Sequence, residues 1–290
     1  MKRVINISAV NIKFVKSSMH KPHNYVKLLK YVSQNHFIGK IRKHSIGMLG
    51  ELNTITNANG VCISGMIYRF TDIDDTCPWF NTKTNQLILD DKGEPIPLVD
   101  KNNKPNTETT RFVFFSNGHR FLFDNKIIAP RSLQKLLDSI FSINEVRKMF
   151  GNIEVEVETS QDKVKEIVKI KNKRSLFLEF TVPNPDDLSA EKAKVAKRIE
   201  MLNLRKYNEL YVSDDSIKLD DEAKAKIDIA SSNGKIIVKT LGKDGKIHTM
   251  STDEYPLDEK TYYDGKKTSN YFNAFMSKSE EIWKILKKRG

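Results

Sequence analysis

The residues of this 290-residue chain best suited to chemistry are cations set among aromatics near its start. Lys13, Lys16, Lys21, Lys27, Lys30, Lys40, Arg42 and Lys43 are interleaved with Tyr25, Tyr31, His36 and Phe37. Cationic side chains hold phosphates, and rings between them can stack exposed bases. The first 60 residues carry ten Lys or Arg against one acid, Glu51, so +9 of the net +12 lies in the first fifth of the chain. Charge concentrated in this way attracts a polyanion by counterion release and field focusing. Simple solubilisation is the plainer reading of the same charge. Lys284, Lys287, Lys288 and Arg289 extend the patch or merely complement a helix C-terminus.

A second candidate is the run RFVFFSNGHRFLFD at 111–124. Asn-Gly between two aromatic, β-branched runs is a strong hairpin signal. A two-residue turn at Asn117-Gly118 pairs Phe115 with Arg120, Phe114 with Phe121, Val113 with Leu122 and Phe112 with Phe123. One face then carries Phe112, Phe114, Phe121 and Phe123, flanked by Arg111 and Arg120. That face is a core face, or a platform on which RNA bases stack. The glycines of an RNA-recognition module are absent, and core is the reading we take.

Acid/base and metal chemistry have weaker candidates. His119 beside Arg120 is the first choice for metal-free RNA cleavage, although a polar residue flanking a turn is the simpler assignment. Asp72, Asp74 and Asp75 follow a strand and could gather Mg²⁺, or simply make a turn. Glu154, Glu156 and Glu158 stripe one side of a strand, expected to face solvent. Cys62 and Cys77 have neither metal nor disulfide spacing, which fits a reducing cytoplasm. No Walker loop, dinucleotide loop or nucleophile elbow is present. No cofactor is expected, and no apolar run is long enough to span a membrane.

Periodicity and punctuation supply the elements that must hold these residues. Strands are expected at 4–15, 60–70, 153–157 and 176–182, with hairpins at 87–98, 111–124 and 235–251. Helices are expected from Pro22 to Gln34, from Pro130 with a Leu stripe, after a Ser142–Glu145 capping box to Phe150, at 162–170, from Ser189 to about Leu210, at 220–233 and from Asn270 to Lys288. The fold class is α+β: a mixed, largely antiparallel sheet with helices on one face and ferredoxin-like local alternation. Residues 1–182 are read as the sheet core and 183–290 as a helical and hairpin part packed on it.

The 111–124 run, the VPNPDD turn at 182–187, the helix after it and the SSNGKIIVKTLGKDGK hairpin resemble an uncharacterised bacterial and phage-borne family of domain-of-unknown-function proteins of about this length. Those motifs are structural, so the resemblance brings no active site. It implies a setting in mobile elements and a role in phage–host conflict.

The expectation is therefore a non-enzymatic, nucleic-acid-binding protein of phage defence, with RNA favoured over DNA by the aromatic face. Its phosphate-holding residues would be Lys13, Lys16, Lys27, Lys30, Lys40, Arg42, Lys43, Arg111 and Arg120. An endonuclease and a protein-interaction subunit, docking an acidic partner from the same operon, remain alternatives. Oligomeric state is left open.

Overall fold

The computed structural model describes residues 2–57, 60–74, 77–181, 190–242, 244–266 and 268–287. Its hub is β1 (Lys2–Phe14), in which every residue from Ile7 to Phe14 is buried. A strand covered on both faces has an apolar run instead of an alternation. This accounts for the phase change at Ala9-Val10. Val10, Ile12 and Phe14 enter one core, and Ile5, Ile7 and Ala9 another.

One edge of β1 is taken by β8 (Arg120–Asp124). The other edge is shared end to end by β14 (Glu259–Asp264), against Lys2–Ile7, and β9 (Ile153–Val157), against Val10–Phe14. Beyond β8 lie β7 (Glu108–Phe115), β4 (Gly60–Thr71), β3 (Ser45–Asn57) and β2 (Gly39–Arg42), completing an eight-stranded sheet in which every pairing is antiparallel. A short separate ribbon joins β5 (Trp79–Asn81) to β6 (Gln86–Ile88).

The β7–β8 hairpin has the expected pairs, Phe112 with Phe123 through Phe115 with Arg120. Its turn is wider than two residues. Positive φ falls on Gly118 (76°) and His119 (58°), not on Asn117. The four phenylalanines are core, none more than 1% exposed, and the Phe112 and Phe121 rings stack at 4.4 Å. Above them sit α1 (Pro22–Gln34), α2 (Pro130–Phe141) and α3 (Asn144–Phe150), through Tyr25, Leu29, Leu133, Leu137 and Phe150 among others. α7 (Thr268–Lys287) adds a layer on the second face, where Phe275, Ile282 and Trp283 cover Val113, Phe115 and Leu122. Both parities of the hairpin are apolar, so both faces need cover. Trp283 Nε1 also donates to the Asn117 carbonyl at 2.7 Å, tying α7 to the turn.

A second antiparallel sheet runs β11 (Tyr207–Val212), β10 (Lys173–Phe180), β12 (Gly234–Leu241), β13 (Ile247–Ser251). One face is packed by α4 (Gln161–Lys169), α5 (Ala190–Met201) and α6 (Asp221–Asn233) over Leu176, Leu178, Phe180, Ile236 and Val238. The chain then returns to the first sheet as β14 and α7. The helix expected to reach Leu210 stops at Met201, Asn203 takes φ of 51°, and Tyr207–Val212 alternates inward and outward as a strand. Ser142 is the C-cap of α2 and not the N-cap of α3, whose N-cap is Ile143. The VPNPDD turn and Ser189 lie outside the described residues.

Truncating Phe114 to Ala should lower unfolding free energy by about 3–5 kcal/mol, because a buried ring leaves a cavity. Phe80→Ala, at a side chain 54% exposed, should cost less than about 1 kcal/mol. Urea midpoints of the two variants check the contrast.

Candidate nucleic-acid interface

The exposed cations follow from local periodicity. On α1, Tyr25, Leu28, Leu29 and Val32 turn inward. Lys27 and Lys30 are therefore left facing out, with Lys21 exposed just before the helix and Lys16 further upstream. On β2, Ile41 is buried while Lys40 and Arg42 alternate outward. Lys43 and His44, in the turn to β3, are exposed.

Two open clefts meet at that turn. One, of about 770 Å³, is lined by Arg42, Lys43, His44, Arg69, Asn106 and Glu108 among others. The other, of about 630 Å³, includes Lys40, Lys43, His44, Trp79, Lys101 and Lys104 with Asp72, Asp74 and Asp100. Their acids are partly spoken for, since Lys104 Nζ lies 2.9 Å from Asp72 and Arg69 lies 3.1 Å from Glu108. Among the described residues, none of Lys16, Lys21, Lys27, Lys30, Lys40, Arg42 or Lys43 enters an ion pair. Their field is directed into solvent. Arg111 is different: half-buried, its guanidinium sits 5.5 Å above the Phe272 ring.

Lys13, Arg120 and His119 are not surface groups. Lys13 is 2% exposed and Arg120 and His119 1%. Lys13 and Arg120 belong to a polar seam between the sheets, whereas His119 packs beneath α1. Arg120 Nε lies 2.7 Å from Glu158 Oε1, and Glu158 is fully buried. Arg120 also donates to Asn11 Oδ1 at 2.9 Å, and Asn11 Nδ2 donates to Asn233 Oδ1 at 3.0 Å. Lys13 Nζ donates to Thr181 Oγ1. Burial pulls the Lys13 ammonium down to about 8, against the opposing pull of Glu154 and Glu156. The His119 ring stacks on Tyr25 at 4.1 Å, and Tyr25 Oη lies 3.0 Å from His20 Nδ1.

The glutamate stripe expected to face solvent faces this seam instead. Glu158 is sealed in it, while Glu154 and Glu156 line a cleft of about 530 Å³ with Asp138, Thr181 and Arg205. Desolvation raises the Glu156 carboxyl to about 7, and desolvation with the nearby Glu154 charge raises Asp138 to about 6. Strand alternation shows that these residues share a side. Whether water or a second sheet meets that side is not encoded locally, so Asn11, Thr181, Glu158 and Asn233 carried no sequence signal of their role.

Of the aspartates at 72–75, two lie among the described residues. Asp72 is paired with Lys104, Asp74 is exposed, and Asp75 lies outside the described residues. Among the described residues, no three His, Cys, Asp or Glu side chains converge on a metal-sized site.

Residues 3–280 match the model of a domain of unknown function, DUF4747. The chain belongs to this family. No curated protein matches it. The DUF4747 match runs from β1 into α7, so both sheets, the seam and the basic turn lie within the family domain.

Removing one partner of the seam's ion pair leaves the other charge buried. Arg120→Met should cost about 3–5 kcal/mol, and Arg120→Met with Glu158→Met should cost less than the single change. Urea unfolding of both variants tests this. The raised acids predict a pH effect as well. Their folded pKa values lie above the unfolded ones, so their contribution is intact below about pH 4 and is lost as pH rises through 6 to 7. Asp138→Asn with Glu156→Gln should flatten the Tm profile over that window and raise Tm at pH 7.5, as measured by differential scanning fluorimetry.

Proposed function

We propose that this DUF4747 protein binds nucleic acid without cleaving it, holding phosphates with Lys40, Arg42 and Lys43 at the β2–β3 turn, aided by Lys16, Lys27 and Lys30. The observation that carries the reading is the arrangement at the turn. Three cations outside any ion pair among the described residues border two adjoining open clefts, one of which also holds Trp79. Unneutralised charge beside a groove is what a phosphate backbone requires. The aromatic hairpin face that favoured RNA is core, so the reading rests on phosphate contact and takes single or double strands. The burial of His119 and Arg120 and the pairing of Asp72 leave the nuclease alternative without a favouring observation. We place the binding in phage–host conflict on the strength of the family resemblance alone.

Filter binding at low salt should retain labelled RNA or DNA. Lys40→Glu with Arg42→Glu and Lys43→Glu should weaken retention about 10- to 100-fold. It should also make the slope of log K against log salt shallower by about two to three. No retention by the wild-type protein, or equal retention by the triple variant, refutes the reading. Survival of a pull-down after nuclease treatment would instead favour an acidic protein partner. Loss of plating protection against phage in the triple variant, with normal protein levels, tests the proposed setting.

A further inference from the structure

Phosphate contact alone admits single or double strands. The cleft of about 630 Å³ at the β2–β3 turn narrows the choice, because two chain segments of different character line it. Residues 38–44 contribute Lys40, Lys43 and His44 and contain no acid. The excursion between β4 and β7 contributes an apolar set, Trp79, Leu98 and Val99. Its charges nearly balance, with Asp72, Asp74 and Asp100 against Lys101 and Lys104, and Lys104 is paired with Asp72. A nucleotide is divided in the same way, with an anionic phosphate at one end and a flat base at the other. Phosphates favour the side that has cations without acids, and the bases then turn toward the excursion.

Trp79 is the ring available to such a base. The chain has two tryptophans, and the fold uses the other. Trp283 is 4% exposed, stacks on Phe115 at 5.0 Å and donates from Nε1 to the Asn117 carbonyl. Trp79 is half-buried in the β5–β6 ribbon, paired with Ile88. Among the described residues its ring stacks on no other ring and no cation, and its Nε1 makes no hydrogen bond. Phe80 points to the opposite side of the ribbon and does not line the cleft. Leu98 and Val99, 50% and 38% exposed, extend the apolar surface beside Trp79. In a duplex the faces of the bases are covered by their stacked neighbours. Only an unpaired base offers its face to an indole.

We propose, resting on phosphate binding at the β2–β3 turn, that this cleft selects single-stranded nucleic acid, with Lys40 and Lys43 on the phosphates and an unpaired base stacked on Trp79.

Filter binding with oligo(U), oligo(dT) and a duplex of equal length tests this. Single strands of about 16 nucleotides should be held at least about fivefold more tightly than the duplex. Trp79→Ala should weaken single-strand retention about 5- to 100-fold and leave duplex retention unchanged. The slope of log K against log salt should also stay unchanged in this variant, since no phosphate contact is lost. Trp79→Phe should keep most of the affinity, and Phe80→Ala all of it. Oligo(U) should quench tryptophan emission in the wild type and not in Trp79→Phe, because Trp283 is buried. Equal retention of duplex and single strands, or indifference to Trp79→Ala, overturns single-strand selection and leaves phosphate binding at the turn standing. A loss in Trp79→Ala that brings a shallower salt slope overturns it too, because cations and not a stacked base were then removed. No retention of any probe overturns both.

Discussion

The arrangement of the two sheets depends on the Arg120–Glu158 ion pair. Both groups are withdrawn from water, at 1% and 0% side-chain exposure. Charges so placed are tolerable only while each keeps the other and the surrounding polar atoms find partners. Arg120 belongs to β8, and Glu158 follows directly on β9. Asn11 of β1 takes a hydrogen bond from the guanidinium and passes one on to Asn233, the last residue of α6. Three strands of the first sheet and one helix of the second unit are therefore joined through directional contacts. An apolar seam of the same size would hold as strongly and specify less, since dispersion contacts tolerate sliding and hydrogen bonds do not.

This explains the changing character of β1. Along one side it presents Ile5, Ile7 and Ala9 to the core beneath α7, then Asn11 and Lys13 to the seam. The opposite side presents Val10, Ile12 and Phe14 to the core under α1–α3. β9 and β14 divide the remaining edge, and Glu158 bridges the gap between them, donating from its N–H to Ala9 and accepting from the N–H of Leu257. From Ile7 to Asn11 the strand is paired along both edges and covered on both faces. Its lysine loses protonation strength because the polar seam is too dry to solvate the ammonium fully.

Cations of the basic N-terminal segment thus do two kinds of work. Lys13 is consumed by folding. Lys40, Arg42 and Lys43 lie on a short strand and turn where alternation and exposure leave them to solvent, and there the segment's shortage of acids matters. Charge held in no ion pair among the described residues acts at a distance of about one Debye length, roughly 8–10 Å at physiological salt. That suits recognition of a polyanion backbone more than of any single small ligand.

Much of this was legible in the residues themselves. The β7–β8 register, the α+β class, the inward stripes of α1 and α2, the burial of the four phenylalanines and the outward set of Lys27 and Lys30 all follow from periods of 2 and 3.6 and from turn chemistry. β11 was not legible, because Tyr207–Val212 directly follows a helical pattern and only pairing with β10 makes it a strand. Nor was the fate of Glu154, Glu156 and Glu158. Alternation assigns a side chain to a face, but what lies against that face is decided by elements far along the chain, such as Asn233 over Asn11, 222 positions apart. The sequence by itself determined local geometry and charge. The tertiary structure alone decided which charges are sealed into the seam and which reach solvent, because desolvation depends on packing between distant segments.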